Sequence, residues 1–569
     1  MKRCPECGRE YDNTMMFCLD DGAELLYGPA ASMDEPATAI LHDTAPSSEA
    51  ATRAQIHTTD QTAILPIGTG DIARGFDRRL LAIPLLIAII AIGGFFAYRY
   101  LAPAGSKQIG SIAVLPFENS SGIADNEYLS YGLTDSLIFR LSQLPNLKVS
   151  PTSSVIRYKG KDKDIDVAQI AKELDVDAVM SGRLMQVGDS LNISVQLIDA
   201  NSKKVIWAEQ YDRRLADLLA TQREIATTIT QKLQLRLAGD ERGITKKYTS
   251  SNEAYQLYLK GRFHWTKRTK DDLDKSVESY KQAISLDPNF ALAYVGMAET
   301  YNSMAKDPDV APKDAVPFAK SAAAKAMELD PSLPEAHSAF GDSLAIYDWN
   351  WTQSEQEFKR ALELDPNVSY IHLAYSGSYL GPTGKTDEAV IQAQRAVDLE
   401  PLALINNSVL ASAYVYDRQY DKALEQAKKT FELDPNFPLA RQWYGMAYLL
   451  KGQYQQAIDF EQQVPKDSPA RWTAVMVLAH VYAKMGNRSE CEKAINELEE
   501  IGKTRYIRRY YLASIYATLG DKDKAFTELE KAFADRDSFL PRAKEDPFMD
   551  PLRDDPRFKA MLKRMNLPE

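Results

Sequence analysis

The stretch GMAYLLKGQYQQA, Gly445 to Ala457, decides the fold of the C-terminal half. Its small residues, Gly445, Gly452 and Ala457, alternate with Tyr448 and Tyr454, so that two helices can approach closely while the rings fill the space beside them. The arrangement recurs at Ala411, Tyr414, Tyr420 and Ala423, at Ala479, Tyr482 and Gly486, and at Ala513, Tyr516, Gly520 and Ala525. Leu-Asp-Pro or a near match sets the period, with prolines at Pro288, Pro331, Pro366, Pro401 and Pro435, spaced by 43, 35, 35 and 34 residues. A period near 34 is that of helical hairpins, each proline stopping a second helix and turning the chain. About eight such units fit within residues 254–540, and residues 541–569 are expected to cap the stack.

These residues resemble tetratricopeptide (TPR) repeats, and the resemblance implies an all-α superhelical solenoid whose concave face takes protein or peptide ligands. Register puts Tyr294, His337, His372, Asn407, Arg441 and Gln442 on the first helices, as candidates for that groove. Gly381-Pro-Thr-Gly-Lys-Thr386 imitates the end of a phosphate-binding loop. Tyr379 stands where the first glycine belongs and no strand precedes it, so it reads as a turn between repeat helices. Cys491 takes the small-residue position of Ala423, Ala457 and Ala525 and reads as a packed thiol.

Upstream, the periodicity changes. Ser111-Ile-Ala-Val-Leu-Pro-Phe117 predicts a buried strand, residues 128–144 a helix, 147–150 a strand and 167–174 a helix, and residues 178–187, 191–198 and 205–211 a meander. Leu191, Ile193, Val195 and Leu197 share one face, and Gly188-Asp189 supplies a tight turn. IAVLPFEN, YGLTDSLIFRLSQLPNLKV, SGRLMQVGDSLNISVQLIDA and IWAEQYDR resemble the FlgO/TolB-N-terminal-like α/β domain of bacterial envelope and signalling proteins, over residues 107–240. That resemblance implies sensing or assembly rather than catalysis. The domain holds no histidine or cysteine, which removes the usual nucleophile and base pairings.

Ahead of it, Leu80 to Tyr98 carries no charge and is long enough, as a helix, for a bilayer core, so residues 78–100 are expected to cross a membrane. Arg74, Arg78 and Arg79 on one flank, against Arg99 and Lys107 on the other, favour an N-terminus inside. Residues 24–77, rich in Ala, Thr, Ser and Asp, read as a disordered linker, in which Thr38-Ala-Ile-Leu41 recurs as Thr62-Ala-Ile-Leu65 beside acids. Thr38 and Thr62 are candidate phosphosites. Within residues 1–23, Cys4-Pro-Glu-Cys7 and Cys18-Leu-Asp-Asp21 resemble small bacterial zinc ribbons, with Cys4, Cys7, Cys18 and Asp21 as ligands of a structural Zn2+.

The chain has 569 residues, a formal net charge of -11 and 26% charged residues, values that speak against general nucleic-acid affinity and for several folding units. The expectation from sequence is a multidomain, non-enzymatic bacterial inner-membrane protein. It would be single-pass, with its N-terminus cytoplasmic and its C-terminal domains periplasmic, scaffolding protein partners and taking no small-molecule substrate. The alternative is a transmembrane receptor or adaptor passing envelope information to a cytoplasmic kinase or transcription partner.

Overall fold

The computed structural model describes residues 2–3, 10–11, 109–122, 126–144, 147–160, 166–233, 246–306, 310–468 and 470–567. The chain divides into two units, residues 1–101 and 102–569. In the first, the described residues form an antiparallel pair, β1 (Lys2–Arg3) and β2 (Glu10–Tyr11), with Lys2 opposite Tyr11.

The second unit begins with a six-stranded mixed sheet. Strand β3 (Ser111–Val114) lies parallel to both β5 (Lys148–Val149) and β6 (Ala178–Val187), and β4 (Glu118–Asn119) extends the contact with β6. Every residue of β3 is buried, as its unbroken apolar run requires of a parallel strand covered on both faces. From β6 the sheet continues antiparallel through β7 (Ser190–Asp199) and β8 (Val205–Arg214). Gly188, at φ +59°, makes the tight turn between β6 and β7. Leu191, Ile193, Val195 and Leu197 are all buried, and the period-two pattern holds. Helices α1 (Glu127–Ser142), α2 (Thr152–Val155), α3 (Val167–Leu174) and α4 (Leu218–Lys232) complete the layer.

The solenoid follows as eight helical pairs among the described residues: α5 (Asn252–Trp265) and α6 (Lys270–Leu286); α7 (Ala291–Lys306) and α8 (Pro312–Leu329); α9 (Pro334–Ser343) and α10 (Trp351–Leu364); α11 (Ser369–Ala374) and α12 (Thr386–Leu399); α13 (Leu404–Tyr416) and α14 (Tyr420–Leu433); α15 (Pro438–Leu450) and α16 (Tyr454–Glu461); α17 (Arg471–Lys484) and α18 (Arg488–Ile501); α19 (Arg509–Thr518) and α20 (Lys522–Ala534). Each Leu-Asp-Pro junction is tied locally, since Asp287, Asp330, Asp365 and Asp434 accept from the amides of Asn289, Ser332, Asn367 and Asn436. The small residues act as the sequence pattern requires. Tyr280 of α6 lies between Gly261 of α5 and Gly296 of α7, where an added Cβ would come within 2.6 and 2.4 Å of the ring.

Two features go beyond a linear stack. Helix α1 docks on α5 through Gly132, whose missing Cβ would sit 2.8 Å from Leu259, and Tyr255 Oη reaches Ser136 Oγ at 2.8 Å and Gln222 Oε1 at 2.6 Å. The α/β domain and the first repeat therefore share one core. At the other end the chain turns back after α20 through two 3-10 turns, Leu540–Lys544 and Pro547–Leu552, and α21 (Pro556–Arg564). Trp351 Nε1 donates to Met565 O at 2.8 Å, Arg542 Nη2 to Gly377 O at 2.9 Å, Arg418 pairs with Asp550 at 2.7 Å, and Arg508 Nη2 donates to Ala305 O at 3.2 Å. The last repeat and the tail thus pack against the second to fifth repeats, completing one superhelical turn.

The single-pass inner-membrane location is corrected. Among the described residues no helix is long and apolar enough to cross a membrane, and Leu80 to Tyr98, on which the expectation rested, lies outside them. Cys4, Cys7, Cys18, Asp21, Thr38 and Thr62 also lie outside the described residues.

Candidate functional site

Four of the six groove candidates, His337, His372, Asn407 and Arg441, turn inward on their own repeats. His337 places Nδ1 2.7 Å from Glu357 Oε2 and Nε2 3.0 Å from Pro331 O. His372, one period later, does the same with Gln392 at 2.5 Å and Pro366 O at 2.8 Å. Asn407 donates to Pro401 O at 2.9 Å and accepts from Gln426 at 2.6 Å. Arg441 donates to Phe460 O at 2.9 Å, and its guanidinium stacks 4.2 Å over the Phe460 ring. The first helix of the third to sixth repeats is thereby clamped to its second helix, and in the third to fifth also to the Leu-Asp-Pro or Leu-Glu-Pro turn before it. Gln442 is buried, and Tyr294 packs on the alanines Ala298, Ala322 and Ala339. The polar atoms of His337, His372, Asn407 and Arg441 are engaged within the fold, whereas Gln442 Oε1 is buried without a hydrogen-bond partner. His337 is raised because Glu357 and the Pro331 carbonyl both favour a ring that donates from each nitrogen.

Within the superhelical turn, and closed on one side by the α/β domain, lies a cavity of about 2110 Å³. Helices α1, α5, α7 and α11 line it together with the turn ahead of α13. Ser153, in α2, closes the ring by donating from Oγ to Glu400 Oε2 at 2.7 Å, between residues 247 positions apart.

The inner wall carries an uncommon set of charges. Arg262 of α5 reaches Asp135 of α1 at 3.4 Å and Glu299 of α7 at 3.5 Å. Burial raises the carboxyls of Glu299 and Glu400, and it pushes Glu335 up to about 7. Arg268 stacks over Trp265 at 4.1 Å and donates to Ser303 Oγ at 2.7 Å, and Lys306 is held by Asp342 at 2.7 Å. Trp265 and Tyr370 meet edge to face at 5.9 Å. Sequence register had pointed to the concave helices alone and missed this wall. The signal lay in α1, where Asp135 is a single acid among Leu129, Leu133, Leu137, Ile138 and Leu141.

Two other groups are chemically quiet. Burial pushes the Cys491 thiol up to about 11. His480 is held down to about 4, its ring nitrogens 2.9 Å from Met476 O and from Ser514 Oγ. The Gly381 to Thr386 segment is the turn before α12, where Gly384 has φ +87° and Lys385 pairs with Glu355 at 2.8 Å. No group of three or more His, Cys, Asp or Glu placed to hold a metal ion occurs among the described residues.

Three family profiles match the chain. Residues 107–228 match the HilA/YgeH-like transcriptional regulator, second domain; residues 257–290 and 509–534 match the tetratricopeptide repeat; residues 384–498 match the anaphase-promoting complex, cyclosome, subunit 3. The C-terminal half is therefore a TPR-type solenoid, a protein-binding fold. The match over the α/β region does not carry the finer FlgO/TolB-like assignment. Among curated proteins, "Putative adenylate cyclase 3" of Rhizobium meliloti (strain 1021) is 30% identical over 237 residues, 41% of this chain and 40% of that protein. "Transcriptional regulator HilA" of Salmonella typhimurium is 27% identical over 248 residues, 42% of each chain. The chain spans about two-fifths of the length of these curated relatives. Among solved structures, the TPR protein YrrB, titled as having an unusual peptide-binding site, is 18% identical, covers 39% of this chain and 99% of its own, and superposes with a TM-score of 0.25.

Proposed function

We propose that the chain is a regulatory scaffold whose α/β domain and TPR solenoid together hold a segment of a partner protein in the cavity that both line. The observation that carries this reading is the cavity, because two domains with different folds build its walls and Ser153 and Glu400 latch them. A TPR surface takes extended or helical peptide, and first helices of the solenoid, α5, α7 and α11, line this interior. The named relatives, a cyclase and a transcriptional regulator, suggest the same reading. In them the α/β and TPR segments would serve a regulatory output, and here the bound partner would supply it.

The test is peptide display against the full chain, repeated with Val409→Trp, which puts an indole on the cavity lining from α13. Peptides that bind the parent and lose about tenfold or more in affinity, roughly 1.4 kcal/mol, with Val409→Trp are expected. A panel indifferent to the substitution sinks the reading.

A second proposal concerns residues 1–23. Three thiols and a carboxylate, Cys4, Cys7, Cys18 and Asp21, are ligand types that tetrahedral zinc accepts, and the β1–β2 pair flanks the Cys4 to Cys7 segment in sequence. Their role would be structural. Native mass spectrometry of the full chain is expected to find one zinc ion, lost on joint Cys4→Ser and Cys7→Ser substitution. A metal-free mass for protein purified without chelator rules the ribbon out.

A further inference from the structure

We infer that the partner segment held in the cavity is both aliphatic and acidic. Its aliphatic side chains lie on an apolar strip of the wall built by α13, α15 and α17, and a carboxylate of the same segment meets Arg542. This rests on the cavity being the partner site. Leu402, Ile405, Val409, Phe437, Leu439 and Trp472 form the strip, and Arg542 lines the same space.

Unlike the repeat core, the strip is left partly open. Leu402, Ile405, Val409, Phe437 and Leu439 are half-buried and border the cavity, and the first three recur at helical spacing. From Pro401 to Arg542 the lining includes two arginines, Arg505 and Arg542, and no carboxylate. The acids just ahead are engaged, Asp398 with Gln394 and Glu400 with Ser153. Arg542 sits beside the strip, since a Cβ added at Gly377 would lie 3.4 Å from Arg542 Nη2 and 3.8 Å from Val409 Cγ1. Its neighbours are a carbonyl, Gly377 O at 2.9 Å, and the rings of Tyr416 and Phe539 at 5.4 and 4.7 Å. Among the described residues no carboxylate lies within ion-pair distance of this half-buried cation. The acids that follow it in sequence turn away, Asp546 to Tyr510 Oη at 2.6 Å and Glu545 to the turn at Gly384.

The ligand chemistry follows from what this wall lacks. A partly desolvated guanidinium gains most from a carboxylate, which its planar fork engages through two parallel hydrogen bonds. A cationic segment would meet two arginines and no acid on this stretch of wall. A neutral apolar segment would strip water from Arg542 without supplying an anion. An acidic segment without aliphatic residues would leave the strip open, and burying that apolar surface is where most binding energy lies. A peptide is favoured over a single fatty acid because about 2110 Å³ has room for several side chains, and because the solenoid that builds the wall is a protein-binding fold.

The test is fluorescence anisotropy of a labelled dodecapeptide repeating Leu-Glu-Gly against the full chain at fixed ionic strength. Beside it stand peptides with glutamine or lysine in place of glutamate, and one with serine in place of leucine. The Leu-Glu-Gly peptide is expected to bind and the lysine peptide to stay free. The glutamine and serine peptides are each expected to lose about tenfold or more, roughly 1.4 kcal/mol. Arg542→Gln is expected to bring the glutamate peptide down to the glutamine peptide and to leave the latter within about twofold, a coupling that a purely structural arginine would not show. Circular dichroism and a melting curve check that the variant folds, and the comparison of glutamate with glutamine on the parent needs no variant. Equal binding of those two peptides to the parent overturns the inference, as does a serine peptide that binds as tightly as the leucine one. So does a folded Arg542→Gln variant that separates glutamate from glutamine as the parent does, or displacement by decanoate at the peptide's own concentration. If the Leu-Glu-Gly peptide fails while display peptides still depend on Val409, the inference falls and the cavity reading stands. If no peptide depends on Val409, both fall.

Discussion

Replacing Arg508 with methionine is expected to lower stability by about 3–5 kcal/mol, the cost of leaving one member of a buried ion pair without the other. Arg508 and Asp537 are 1% and 0% exposed at the side chain and lie 3.3 Å apart. Arg508 also donates to Ser538 Oγ at 2.9 Å and to Ala305 O at 3.2 Å, and stacks 4.8 Å over Phe539. In the variant, Asp537 keeps only the amides of Tyr510 and Phe539, too few for a carboxylate with no water. The consequence extends past the pair, because Ala305 ends the first helix of the second repeat while Arg508 opens the eighth, so this arginine bolts the superhelical turn shut. Chemical denaturation should show the loss, and hydrogen exchange should rise first in residues 509–567, since those elements depend on the closure. Adding Asp537→Leu should recover much of the loss by removing the orphaned charge. A single variant within about 1 kcal/mol of the parent would show that the closure does not depend on this pair.

That closure was not legible in the sequence, and the reason is physical. The period of about 34 residues and the Gly, Ala and Tyr positions depend on contacts between neighbouring helices, so they leave a local trace, and the helical pairs followed from them. Arg508 to Ala305 spans 203 residues and Ser153 to Glu400 spans 247, and no periodicity encodes contacts that happen once. The sheet was readable for the same local reason, through the alternation in β7 and the unbroken run in β3. The groove residues show the limit from the other side. His337, His372, Asn407 and Arg441 do occupy equivalent positions, as register implied, but register fixes where a side chain starts and not whether its polar atoms are satisfied within the repeat. The cavity wall was hidden because Arg262 is counterbalanced from three elements, α1, α7 and the turn ahead of α13, that are far apart in the chain.

Glu461 should make the solenoid less stable as pH rises, and Glu461→Gln should remove that slope. Its place in the repeat matches Glu357, Gln392 and Gln426, the clamp partners of His337, His372 and Asn407, but α16 ends here and the carboxyl is fully enclosed. Neither oxygen accepts a hydrogen bond, and Arg441 stands 3.6 Å away, already donating to Phe460 O. Burial pushes the carboxyl up to about 8, with Arg441 pulling weakly the other way. Below the ordinary glutamate value both folded and unfolded chains are protonated and the residue costs nothing. As pH climbs from there toward 8 the unfolded chain ionises first while the folded one holds its proton, so stability falls throughout that window and levels off above it. At about 1.4 kcal/mol per unit of separation, the loss amounts to a few kcal/mol. Glu335, raised to about 7, slopes the same way, so the diagnostic is the difference between variant and parent. That difference should be near zero at pH 4, where glutamine resembles the protonated carboxyl, and should grow in favour of the variant up to pH 8. Parallel stability profiles over that range would mean that the carboxyl ionises in the folded chain as it does in water, and that Arg441 compensates it fully.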